Sequence, residues 1–341
     1  MPKPSADTLA YALSRVEVGS LKRYLWQVVN KARLNKVPVG DIEGHRVAAI
    51  DGSEVYSSSS ERMSCAECKT RRVGEGIQFY EQAVVVSYVG DFPLLLGLRR
   101  VERGQGEVAA GVELINELGL ELFRYCDIIV ADALYAQAPF IKAVMAQNKH
   151  VLVKVKQENR EIIADAEGLF SGREPDVVLN GAKVHPGADA IYDAKIWDEE
   201  GFMSWSSLGV PVRCIKVEET VTRVEKGQLV KNTYVEYLVT TCPKATTPAR
   251  VLWRIMHRRW DIENSLFHNL KTYSSFEHCF CHDENAVPAM WLLMAIAFNL
   301  LRLFALRNLR EIRDFMGIAT MILITLPQMI APIYALIPDP G

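Results

Sequence analysis

The sequence predicts an α/β protein: a mixed sheet flanked by helices, with a mostly β insertion before the last helical stretch. Three observations lead there. Residues 45–157 read as a three-strand meander followed by helix, strand, helix, strand, and the alternating half demands parallel crossover pairing. Residues 158–248 lose the helical period and carry short β-runs between turn residues. From residue 249 the pattern is helical again.

Taken in order, residues 1–44 form a short helical segment: "SADTLAYALSRV" opens on an N-cap serine, and "SLKRYLWQVVNKARL" spaces its apolar residues as a helix does. "HRVAAIDGSEVYSS" is a strand running into Asp51, followed by a polar loop over 57–76 that holds "CAEC". "FYEQAVVVSYV" and "FPLLLGLRRV" are two strands joined by Gly90-Asp91, a hairpin signal. "GEVAAGVELINELGLELFRY" is an amphipathic helix, "DIIVAD" a buried strand, "ALYAQAPFIKAVMAQN" a helix and "HVLVKVK" a strand. That is the order of a ribonuclease-H-like sheet. The insertion, 158–248, contributes "AIYDAKIWD", "VPVRCIKVEETVTRV" and "TYVEYLVTTC". Residues 249–310 return as helix to complete the core, and 311–341 are an apolar tail. The competing organisation is two unrelated domains in series, α/β then β, with a helical tail.

A chain of 341 residues, 49% apolar, can bury a sizeable core. Its net charge of −2 provides no global basic excess, so a nucleic-acid partner would have to be met by a local basic patch. Seven cysteines, an odd number in a long chain without a signal-type start, read as reduced thiols in a cytoplasm. "WLLMAIAFNLLRLFAL" (291–306) carries Asn299 and Arg302 and is short for a membrane span. "MGIATMILITLPQMIAPIYALI" (316–337) is long enough but is broken by Pro327, Gln328 and Pro332. A buried helix and a packed or loose tail are expected, with no membrane.

Asp51 ends the first predicted strand of the sheet and Asp132 ends the strand after the first crossover helix. In the predicted order these strands are neighbours. Two adjacent carboxylates repel unless a cation lies between them, and oxygen-only ligands suit Mg²⁺ or Mn²⁺. The plainer reading of Asp132 is a solvated strand end or helix cap. "RRWDIENSLFHNLK" supplies a third acid, Glu263, on a returning helix. At about 100° per residue, Arg259 falls about 40° from Glu263 and Lys271 about 80°. Arg250, Arg254 and Arg258 extend a basic stripe at fourfold spacing. Glu, Arg and Lys together suit a metal and a phosphate; the plainer reading is a solvated face with ion pairs. His257 and His268 lie about 120–140° from Glu263 and are expected to pack or to face DNA. "CAEC" (65–68) and "HCFCH" (278–282) offer thiolates and imidazoles for zinc, with poor ligand spacing in the second half.

"AIDGS", "VADALYA" and "RRWDIENSLFHNLK" together resemble the three acidic motifs of DDE transposases from bacterial insertion sequences, over about residues 45–310. The branch it is most similar to keeps a β insertion before its last acid and carries a Y-(2)-R-(3)-E-(6)-K signature. Arg259 and Glu263 meet the central part, and Tyr135 matches the aromatic three residues after the second acid. Met256 stands at the tyrosine position and Lys271 lies one residue late.

The resemblance implies phosphodiester chemistry on double-stranded DNA, at transposon-end inverted repeats and at target DNA. Asp51, Asp132 and Glu263 would be the catalytic acids holding two Mg²⁺ or Mn²⁺ ions, one activating water or a 3′-hydroxyl and the other stabilising the leaving oxygen. Arg259 would grip a phosphate, with Lys271, Arg258, Arg254 and Tyr135 toward DNA. A homodimer in a synaptic complex and a cytoplasmic, nucleoid-associated location follow from the same resemblance. Two alternatives stand beside it: a truncated inactive copy acting as a regulator, since only about 40 residues precede the catalytic region, and a non-transposing nuclease on the same fold.

Overall fold

A computed structural model describes residues 5–61, 68–156, 160–185 and 188–308. The first elements in chain order are α1 (Ala6–Leu13), α2 (Val18–Leu34), β1 (Asp41–Ile42), β2 (His45–Ser58), β3 (Lys69–Val73), β4 (Gly76–Tyr88) and β5 (Leu95–Arg100). Next come α3 (Glu107–Tyr125), β6 (Ile128–Ala131), a 3₁₀ turn (Ala133–Tyr135), α4 (Ala138–Ala146), β7 (His150–Val155) and α5 (Arg160–Phe170). The insertion strands are β8 (Val177–Ala182), β9 (Ile191–Phe202), β10 (Val212–Glu225) and β11 (Gln228–Thr240). Then follow α6 (Ala249–Arg258), a π-helical segment (Ile262–Phe267), α7 (His268–Ser274) and α8 (Ala286–Asn308).

The elements fall into two compact units that interleave along the chain. One is Gly40–Asp51 with Gly111–Asp261; the other takes its described residues from Met1–Val39, Gly52–Ala110 and Ile262–Gly341. Strand β2 gives its first half to one unit and its second half to the other.

In the insertion-bearing unit, β2 and β6 pair in parallel, as do β6 and β7. Their apolar runs, Val47–Ile50 and Ile128–Ala131, are fully buried, as expected of parallel strands covered on both faces. Helix α3 comes so close to the 3₁₀ turn that a Cβ on Gly111 would lie 2.7 Å from Tyr135 Cε1; glycine is what permits that approach. The insertion does not form a sheet of its own. Residues Tyr237–Thr240 of β11 pair antiparallel with Leu152–Val155 of β7, and β10, β9 and β8 follow antiparallel. It also opens on a helix, α5, where only β-runs were expected: "REIIADAEGLF" has helical spacing, but it lies at the edge of the β-rich stretch.

Arg213 on β10 is almost wholly buried and forms a bidentate pair with Asp198 on β9, at 2.6 and 2.7 Å. It also donates to the carbonyls of Cys242 and Thr247, at 3.3 and 2.8 Å. Thr247 lies just before α6, so this guanidinium ties the insertion to the start of that helix.

In the other unit β4 pairs with β3 and, further along, with β5. Strand β3 falls inside the expected polar loop: "KTRRV" is nearly all polar and mostly exposed, without the alternation that marks a strand, and β4 provides its partner. Helix α8 is, among the described residues, the helix long and apolar enough to cross a membrane. Here it packs against α2 and β5. Its Asn299 is fully buried, accepting from the Leu95 N–H at 2.9 Å and donating to the Leu95 carbonyl at 2.8 Å, so this apolar helix has a polar contact made to fit a strand. The apolar tail lies outside the described residues, as does Cys65; the six described cysteines are all free.

Asn299→Ala leaves both Leu95 backbone groups without that partner. At about 1–3 kcal/mol for each unsatisfied buried group, urea unfolding should show a loss of about 2–6 kcal/mol. A loss below about 0.5 kcal/mol, the range of an ordinary surface change, would contradict the packing described.

Candidate active site

The β2–β6 register places two carboxylates side by side. Val47 pairs with Ile128, Ala48 with Ile129 and Ala49 with Val130, so two residues further on Asp51 stands opposite Asp132. Neighbouring strands run about 4.8 Å apart, and carboxylates that come close to one another repel unless a cation is present. Asp51 is not at a strand end, as the sequence suggested. β2 continues to Ser58, and it is β6 that stops, at Ala131. Beside β2 on its other side the sheet continues with β4. Asp132 caps the 3₁₀ turn, its Oδ1 accepting from the Leu134 N–H at 2.9 Å, so the plainer cap reading describes its local geometry. Capping and site membership are compatible, since the cap uses one oxygen.

Asp51 has a counter-charge. Arg259, just past α6, is 7% exposed as a residue, and its Nη1 lies 3.6 Å from Asp51 Oδ2. Its guanidinium also stacks on the exposed Trp260 ring, 4.7 Å from the centroid. A cation beside Asp51 is thus built into the fold.

The predicted basic stripe is largely met by acids. Arg250 and Arg254 both pair with Glu43, which the tight β1–β2 turn presents to α6, and Arg258 pairs with Asp261 at 2.6 Å. Tyr135 is fully buried, edge-on to Phe140 at 4.9 Å. It is core, not DNA-facing surface, in this structure. His257 packs against Tyr192 and Trp253 and lies 3.0 Å from Glu219 Oε2, which also accepts from Trp253 Nε1 at 2.8 Å.

In the other unit, Glu263 sits in the π-helical segment and Lys271 in α7. A π turn closes on the fifth residue and not the fourth, so it takes up an extra residue before the chain comes round. The angles expected from an α-helix therefore do not hold. Lys271 contacts other partners than Glu263 among the interactions seen. Its Nζ donates to the Glu54 carbonyl on β2 at 3.2 Å and pairs with Glu277 at 2.9 Å.

A further acid was not singled out from the sequence. The Glu107 carboxylate lies where a side chain on Gly52 would be, and it accepts from Gln82 Nε2 at 2.6 Å. A glycine directly after Asp51 and a glutamate in the first turn of α3 were the available signals.

Burial pushes the thiols of Cys126 and Cys214 up to about 12 and that of Cys242 up to about 11, which removes them as thiolate nucleophiles. Among the described residues no three His, Cys, Asp or Glu side chains stand grouped as a metal's ligands. Asp51 and Asp132 offer a pair of hard oxygen donors, the set that fits Mg²⁺ or Mn²⁺.

Residues 42–300 match the family described as Transposase DDE domain. No curated protein matches the chain. One solved structure with similarity is an S-adenosylmethionine-dependent methyltransferase from Clostridium acetobutylicum ATCC 824, at 7% identity and a TM-score of 0.16. The match covers 39% of this chain and 46% of that one, and a likeness at that level carries no argument.

Two predictions follow from the charges. In a double-mutant cycle by denaturant unfolding, Asp51→Asn and Arg259→Gln should couple by about 0.5–3 kcal/mol; additive effects would dissolve the pair. Glu219 titrates lower than an ordinary glutamate: burial alone would raise it, and the hydrogen bonds and charge of His257, with Trp253, outweigh that. A depressed folded pKa gives stability that is present above the unfolded value and is lost as pH falls through the folded one. Glu219→Gln should therefore flatten the pH dependence of stability below about pH 4.5, and an unchanged slope would count against the pairing.

Proposed function

This chain belongs to the transposase DDE domain family, and on that premise we propose that it is a DNA transposase. It would hydrolyse phosphodiesters at transposon ends and join the freed 3′ ends to target DNA. The observation that carries the reading is the register that sets Asp51 opposite Asp132, with Arg259 as cation beside Asp51. The ribonuclease-H-like reading of the fold is supported by β5 on β4, β4 beside β2, and the parallel succession β2, β6, β7.

Asp51 and Asp132, with Glu263 assigned by its motif, would hold Mg²⁺ or Mn²⁺, which when bound supplies activation of the nucleophile and stabilisation of the leaving oxygen. The chain's own residues do the positioning. The cap on Leu134 fixes the Asp132 side chain. Arg259 is shared between Asp51 and an incoming phosphate, its planar fork suited to either. Lys271 offers a point charge to the DNA backbone. Arg254 and Arg258 would exchange Glu43 and Asp261 for phosphates, which makes binding strongly salt-dependent. Tyr135 supports the turn after Asp132 from below. The partners are double-stranded transposon ends and target DNA, brought together by a homodimer in the cytoplasm at the nucleoid.

The test is nicking and joining of DNA bearing the element's terminal repeats with Mg²⁺ or Mn²⁺. Asp51→Asn, Asp132→Asn and Glu263→Gln should each cut the rate by at least about 10²–10³-fold, the scale of losing one preorganised charge, without loss of DNA binding. Cleavage without joining would favour a non-transposing nuclease. Binding without cleavage by the wild-type chain would overturn the catalytic reading in favour of a regulator.

A further inference from the structure

Residues 15–36 contain six lysines and arginines against one acid, Glu17, in a chain whose net charge is −2. Helix α2 carries Lys22, Arg23, Lys31 and Arg33 and no acidic residue. Its apolar side is already occupied: Leu25, Val29 and Ala32 are buried, and α2 packs on α8 and β5 of the same compact unit. The opposite side is polar. At about 100° per residue, Gln27, Lys31 and Tyr24 lie about 40°, 80° and 100° round from Arg23, and all four are exposed.

The fold holds this face outward. Helix α1 ends at Leu13 and α2 starts at Val18, a short turn later. The Asn285 side chain donates to the carbonyls of Leu13 and Val16, at 3.1 and 2.8 Å, and so clamps the turn. Leu13 packs with Ala286 and Ala289 at the start of α8, and Val18 and Leu21 of α2 join the same cluster. Two helices joined by a short turn are the layout of a helix-turn-helix, and here the second helix has its polar side exposed.

We propose that α2 is a DNA-reading helix: its outward face enters the major groove of a transposon end, with Gln27 on base edges and Arg23 and Lys31 on phosphates to either side. The inference rests on the transposase reading and adds the surface that recognises the end. The major groove of B-DNA, about 12 Å wide, admits one α-helix, and a glutamine amide can pair bidentately with adenine. Gln27 lies between Arg23 and Lys31 on the face, so the neutral amide is central and the cations flank it. Tyr24, 60% exposed, adds a hydroxyl at the margin for a phosphate. Arg23 pairs with Glu17 at 3.1 Å, both well exposed, and a phosphate would compete for it. A membrane surface is the other common partner of a basic amphipathic helix, but it needs the apolar side that α2 has buried within the protein.

The experiment is fluorescence anisotropy of the full chain on a duplex bearing the element's terminal repeat and on a scrambled duplex of the same length, without divalent metal so that no strand is cut. Wild type should prefer the repeat. Gln27→Ala should lower that preference by about 5–150-fold, the worth of one bidentate base contact. Lys31→Ala should weaken binding to both duplexes alike and reduce the slope of log affinity against log salt by about 1. Glu17→Gln, which releases Arg23, should tighten binding to both, a gain that no folding defect would mimic. Wild-type preference and salt slope retained by Gln27→Ala and Lys31→Ala would overturn the proposal and leave the transposase reading standing. Equal binding of the two duplexes by wild type would also overturn it, and a wild type that binds neither would overturn both readings.

Discussion

Three backbone pairs, Val47 with Ile128, Ala48 with Ile129 and Ala49 with Val130, hold β2 and β6 parallel and in register, and two residues later each chain segment carries an aspartate. A slip of one residue would turn every side chain of a strand to the other face. The full burial of Val47–Ile50 and Ile128–Ala131 makes such a slip costly, so hydrophobic packing is what enforces the juxtaposition of two charges. Within the same unit Arg259 provides a cation at 3.6 Å from Asp51.

Arg259 depends on elements far from it in sequence. Its helix, α6, begins just after Thr247, whose carbonyl is held by the buried Arg213 of the insertion. Along the same helix Arg250 and Arg254 meet Glu43. The insertion is therefore part of the apparatus that aims Arg259, and β11 continues the sheet on which both aspartates stand. An account that treated residues 158–248 as a detachable module would miss this coupling. The same ion pairs mean that DNA would have to displace acids, not merely meet a bare basic face, which ties affinity to ionic strength.

Helix α7 shows a second kind of adjustment. The segment before it, Ile262–Phe267, is π-helical, so the α-helical angles read from the sequence do not apply across it. π segments of this sort often mark functional positions in helices. The Lys271 contact with the Glu54 carbonyl then anchors the helix to the continuation of the strand that bears Asp51.

Local apolar periodicity and strand length made most of the strands and helices legible, but not β3 or α5, and they put Asp51 at a strand end that β2 runs past. The sequence also led to the adjacency of β2 and β6, through the strand order it predicted. It did not determine what the arginines touch. Glu43 lies some two hundred residues before α6, and no local pattern announces an ion pair across that distance. Nor did it show that Tyr135 is core, that β11 would pair with β7, that Glu107 would occupy the space left by Gly52, or that the Glu263 segment would widen into a π turn. Each of these is settled by which surfaces meet when the sheet and helices pack, and only the tertiary structure decides that.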